Sequence, residues 1–127
     1  MIQKLEVNKK NAIAFYGMAY RGEPAEPVKR YVGAEYIQHN PDVENGKECF
    51  IWYFERMVSE YPDKDIEFVR AIAEGDLVSL YTRQIWPDNE EYVTRDFLRF
   101  DDNRKIAEHW DSIQKIPNES KCGNPLY

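Results

Sequence analysis

The stretch Tyr92-Val-Thr-Arg-Asp-Phe-Leu-Arg-Phe100, the turn Asp101-Asp-Asn-Arg104 and the run Ile106-Ala-Glu-His-Trp-Asp-Ser-Ile-Gln-Lys-Ile116 decide the fold. Both long runs alternate as strands do. A period of two places Asp96, Leu98 and Phe100 on one face of the first run. It places Ala107, His109, Asp111 and Ile113 on one face of the second. A carboxylate and a His-x-Asp pair among apolar residues are costly there unless they line a cavity.

Two further strands precede this pair. Ile66 to Ala73 is broken at Glu74-Gly75-Asp76, a hairpin turn, and Leu77 to Trp86 leads into a second turn at Pro87-Asp-Asn-Glu90. Upstream the period changes to that of helices. Asn8 can cap a helix running to about Tyr20, with Ala12, Phe15, Tyr16 and Ala19 on one side. Glu26 to Val32 reads as a second, short helix after Gly22 and Pro24. A third begins after Asn45-Gly46, carries Phe50, Phe54, Met57 and Val58, and stops before Pro62. Pro117 onward is an irregular tail. Helices followed by a strand meander predict an α+β domain over residues 1–127, its helices packed on a curved, mainly antiparallel sheet. Such a cone encloses a hollow, a common place for a ligand.

Composition narrows the function classes. The chain has 127 residues, 43% hydrophobic and 14% aromatic, which suits one globular domain. Its net charge of −6 comes with no basic stripe, so neither a nucleic acid nor an anionic membrane is expected as partner. No signal-like leader or membrane-length apolar run is present, and a cytoplasmic location is the expectation. The sequon Asn118-Glu-Ser120 is then silent. Cys49 and Cys122 have no metal-ligand spacing, and Cys49 is expected as a buried free thiol. Phosphate loops, nucleophile elbows and metal motifs are missing from the sequence, so no cofactor and no metal are expected.

Several short segments resemble one family. They are Tyr36-Ile-Gln-His-Asn-Pro41, Gly46-Lys-Glu48, Ala73-Glu-Gly-Asp-Leu-Val78 and Lys105-Ile-Ala-Glu-His-Trp-Asp111. Together they are similar to the SnoaL-like polyketide cyclases of the nuclear-transport-factor-2-like superfamily, over roughly Asn8 to the C-terminus. The resemblance implies the cone-shaped fold, dimerisation through the sheet, and metal-free intramolecular aldol closure. Asp96-Phe-Leu-Arg-Phe-Asp101 more distantly resembles the ketosteroid isomerase strand that bears a protonated aspartic acid, kept neutral in that enzyme by its apolar site. Tyr16 stands where that enzyme has its oxyanion tyrosine. Asn40 stands where it has its general base, and an amide cannot take that proton.

The candidate catalytic residues are therefore His109, Asp111 and Asp96. His109 and Asp111, with Cβ atoms roughly 7 Å apart on one strand face, form either a base with its carboxylate or a structural pair. Asp96 is either ion-paired to Arg83 or Arg95, or protonated and donating to an enolate oxygen. Tyr16, Gln38, His39, Asn40 and Trp52 are candidate substrate contacts, although Asn40-Pro-Asp also reads as a turn. Trp110 points to the outer face, where a second copy is the economical partner. Two functions compete. One is an enzyme of the cyclase, isomerase or lyase kind, doing acid–base chemistry on a small, apolar, carbonyl-containing ligand. The other is a non-catalytic module that binds such a ligand or serves as a dimeric scaffold. Polar groups converging in a closed pocket favour the first; the same groups paired off to arginines favour the second.

Overall fold

The two runs that decide the fold pair antiparallel, with Asp96 opposite Asp111 and Leu98 opposite His109. In the computed structural model, which describes residues 2–62, 64–86 and 90–127, they are strands β4 (Glu91–Phe100) and β5 (Ile106–Lys115). Helices α1 (Ile2–Tyr20) and α2 (Ala25–Tyr31), strand β1 (Val32–Gln38), helix α3 (Lys47–Glu60) and strands β2 (Asp65–Glu74) and β3 (Leu77–Ile85) precede them. The sheet order is β1-β5-β4-β3-β2, antiparallel throughout except for the parallel pair β1–β5. This is the expected α+β cone.

Turn chemistry holds the meander in register. Gly75 takes φ 58° between β2 and β3, a conformation glycine adopts without steric cost. Asp101 Oδ1 accepts the backbone N–H groups of Asn103 and Lys105, closing the β4–β5 turn around Arg104 at φ 60°. The Pro87–Glu90 turn expected from sequence falls largely on residues 87–89, outside the described residues.

Three sequence expectations change. Helix α1 starts at Ile2, so Asn8 is no cap: it lies buried inside the helix with both amide atoms unpaired. The residues ahead of it continue the helix, and its own face turns inward. Val32, read as the end of the second helix, instead opens strand β1, which runs to Gln38; its partner β5 lies some seventy residues on, beyond the reach of local pattern. Cys49 is free but only half-buried, with its thiol towards Glu44.

The inner face of the sheet changes character along the strands. Val78, Leu80, Leu98, Phe100 and Ile106 make its apolar end, packed under Phe15, Phe50 and Phe54 of α1 and α3. Each of the large side chains contributes roughly 1.5–3 kcal/mol by burial. Further along, Thr82, Gln84, Thr94, Asp96 and His109 replace them, all still buried. The site lies at that polar end. No helix among the described residues is long and apolar enough to cross a membrane.

Candidate active site

Parity aims Asp96, His109 and Asp111 at the helices. Asp96 lies directly across from Asp111 and diagonally from His109. Tyr16 descends from the stripe Ala12, Phe15, Tyr16, Ala19 on α1, and its hydroxyl lies 2.5 Å from His109 Nε2. Asp96 Oδ1 lies 2.9 Å from the same nitrogen, and Asp111 Oδ2 is 3.9 Å from it. His109 and Asp96 are 2% and 3% exposed. A buried imidazole–carboxyl contact of this kind stands only with its remaining hydrogen bonds satisfied.

They are satisfied. Asp96 Oδ2 accepts from the Thr94 hydroxyl at 2.7 Å. Thr94 has then spent its proton, so Thr82, 2.5 Å away, donates to Thr94. Thr82 Oγ1 in turn accepts from Gln84 Nε2 at 3.5 Å. The chain Gln84, Thr82, Thr94, Asp96 thus donates in one direction, towards the carboxylate.

A second chain fixes the histidine. The backbone N–H of Asn40 can only donate, and it donates to Gln38 Oε1 at 3.1 Å. Gln38 Nε2 then faces the Tyr36 hydroxyl. With Oε1 so oriented, His109 Nδ1, 2.8 Å from it, must carry a hydrogen. Nε2 is therefore the nitrogen that faces Tyr16 and Asp96. Gln38 reaches His109 because β1 runs parallel to β5 with the two residues in register.

Asp111 stands apart from the pair, towards the mouth, where Asn40 Nδ2 donates to its Oδ2 at 2.9 Å. Burial lifts the Asp111 carboxyl above its ordinary range; His109 draws it back, and Asp96 pushes it further up. Burial, followed by the charge of Asp96, holds the Tyr16 hydroxyl well above the ordinary tyrosine value, so it keeps its proton. The imidazole and the two carboxylates offer ligand atoms within 4.8 Å of one another, a set that a divalent cation could draw together. Nε2 is already engaged by two short contacts, which a metal would have to displace.

These groups line a cavity of about 50 Å³, space for a few waters or the reacting end of a small molecule. Tyr53 forms part of its wall and also part of an outer groove of about 430 Å³, bounded by Asp42, Glu44, Glu48, Cys49 and Trp52.

Of the candidates, Tyr16, Gln38, Asn40, Asp96, His109 and Asp111 are brought together in one cavity. His39 and Trp52 are not. His39 alternates to the outer face, stacks on Trp110 at 4.8 Å and binds Glu108 at 2.7 Å. Trp52, 62% exposed, belongs to the outer groove because its side of α3 turns from the sheet. Asp96 is not paired to arginine: Arg83 binds Glu91 and Arg95 reaches Gln114, both away from the cavity. Thr82, Gln84, Thr94, Tyr20 and Trp86 also line the cavity and were not singled out from the sequence. Parity with Asp96 and Leu80 pointed to the two threonines and Gln84.

No family model matches the chain, and no curated protein matches it. Solved structures do. A candidate polyketide cyclase from Bacillus cereus superposes with a TM-score of 0.74 at 18% identity, over 85% of this chain and 74% of that one. A candidate isomerase of the SnoaL-like family from Agrobacterium tumefaciens gives 0.71 at 15%, over 90% and 99%. An NTF2-like protein of unknown function from Mesorhizobium loti gives 0.72 at 14%, over 87% and 93%. The chain has the fold of these NTF2-like and SnoaL-like structures, as its sequence motifs implied; at such identities the likeness carries the fold and no reaction.

Proposed function

We propose that the protein is an acid–base enzyme that enolises a small carbonyl compound, leading to aldol-type cyclisation or isomerisation. One observation carries the reading: a protonated phenol and a carboxylate converge on His109 Nε2 inside a buried cavity, with a second carboxylate 3.9 Å away. The geometry favours Asp111 as the base, a role the sequence alone suggested for His109. Where Asn40 leaves the loop without a carboxylate, Asp111 supplies one from β5 at 2.9 Å. Its lifted pKa brings it closer to the pH at which a base is most effective.

In this scheme Asp111 takes the proton from carbon. The C–H electrons become the C=C bond of the enol as the carbonyl oxygen receives the Tyr16 proton. His109 restores that proton from Nε2, and Asp96 holds the imidazole in place. The enol then attacks a second carbonyl of the same molecule, its O–H proton returning to Tyr16 as the Asp111 proton passes to the new alkoxide, or it is reprotonated from Asp111 at another carbon. Deuterium exchange into acetylacetone tests this. The protein should accelerate exchange, and Asp111→Asn and His109→Ala should each lose about a hundredfold to ten-thousandfold of the acceleration. No acceleration over a panel of small 1,3-dicarbonyls overturns the reading in favour of a binding module.

We also propose a homodimer through the outer sheet face. Ile72, Ser79, Phe97 and Trp110 form one row across β2, β3, β4 and β5, with Ile72 and Phe97 well exposed. A row of this kind, apolar but for Ser79, suits a second copy.

A further inference from the structure

Asp96, His109 and Gln38 at the reacting end of the cavity have partners, but two polar atoms further along its wall do not. Gln84 Oε1 and Trp86 Nε1 are buried without a hydrogen-bond partner, and both residues line the same cavity as His109 and Asp111. Both are held where they stand by their neighbours. Thr82 Oγ1 has given its proton to Thr94 and must accept, so it holds Gln84 Nε2 and leaves Oε1 as the free end. The Trp86 indole is clamped edge-on between Tyr61 and Tyr92, at 5.2 and 5.8 Å between ring centroids. A fixed acceptor and a fixed donor therefore remain, both desolvated.

We infer that Gln84 and Trp86 form a subsite for a hydroxyl group of the substrate, a specificity device separate from the proton-transfer groups. The inference rests on the enolisation reading of the same cavity. A hydroxyl donates to Gln84 Oε1 and accepts from Trp86 Nε1–H, meeting both needs with one atom. A ketone oxygen meets only the indole, an ammonium only the amide oxygen, and a methyl neither. Along β3 the inward residues are Leu80 opposite Asp96, Thr82 opposite Thr94 and Gln84 opposite Tyr92. Gln84 thus stands one inward step, roughly 7 Å, beyond the Thr82–Thr94 pair. The substrate class is a carbonyl compound with a hydroxyl several bonds from the carbon that loses its proton.

The test uses a butyl-ended linear 1,3-diketone and its twin with a hydroxyl on the terminal carbon. Binding of each to the full chain is measured by titration while the indole N–H resonances of the three tryptophans are followed. Trp86→Phe identifies the Trp86 signal by its loss. The hydroxyl twin should bind about tenfold tighter or better and should shift the Trp86 indole signal, which the butyl compound leaves in place. Gln84→Leu and Trp86→Phe should each bring the two affinities together. Equal affinities in the parent, no binding of either probe, or a hydroxyl preference that survives both variants overturns the subsite. Selective binding with the Trp86 shift but no deuterium exchange into either probe upholds the subsite and removes the enolisation reading instead.

Discussion

Asp111 concentrates the consequences of the site at the scale of one residue. A carboxyl lifted above its unfolded value holds its proton more tightly in the folded chain. Stability is therefore lost as pH rises from the ordinary carboxylate value of about 4 through the raised one. Asp111→Asn removes that loss. Thermal melting near neutral pH should find the variant at least as stable as the parent, with the difference closing as pH falls towards the ordinary carboxylate value. A parent that gains stability over the variant across that window would contradict the lifted carboxyl. Asn8 offers a second reading at this scale. It is 1% exposed with both amide atoms unpaired, so Asn8→Leu should raise the melting temperature by the equivalent of about 1–3 kcal/mol; an unchanged or lower value would mean the amide is satisfied.

At the scale of elements, β1 brings the histidine and its tautomer-fixing glutamine together, and its own closure depends on Gly33. A Cβ there would lie 2.5 Å from Asp101 Oδ2 and 3.3 Å from Lys105 Cβ. Asp101 cannot swing away without releasing the two backbone N–H groups of its turn. Gly33→Ala should cost about 1–3 kcal/mol in a denaturant titration, and a neutral result would show that the β1 edge yields. Legibility from sequence also divides by element. Strands β2 to β5 alternate clearly and are joined by short turns, so parity alone aimed Asp96, His109 and Asp111 at one face. Strand β1 follows a helix without a break and pairs with β5 across a distant stretch of chain. The contact between Gln38 and His109 therefore had no local signature. His39 was offered with its neighbours Gln38 and Asn40, and Trp52 as a cover for the cavity mouth or core; alternation and helix phase put them elsewhere. Thr82, Thr94 and Gln84 shared the parity of Asp96 but are common strand residues, and only the hydrogen-bond chain gives them a role.

At the scale of the molecule, the cone has a closed inner side and an open outer one. The C-terminal tail crosses the outer face, where the Tyr81 hydroxyl donates to the Leu126 carbonyl and Arg83 lies 4.3 Å over the Tyr127 ring. The tail thus stays away from the chain's own cavity. The row through Phe97 and Trp110 is the surface we assign to a second copy. Sedimentation should find the parent dimeric and Phe97→Glu monomeric, with exposed apolar area replaced by a charge; a monomeric parent would contradict the assignment. The proton relay as a whole turns on which nitrogen of His109 is free to trade its proton. With only two histidines in the chain, nitrogen-15 NMR of labelled protein reads this directly. The relay requires a hydrogen held on His109 Nδ1, with exchange confined to Nε2. A His109 bearing its hydrogen on Nε2 and a bare Nδ1 would contradict it.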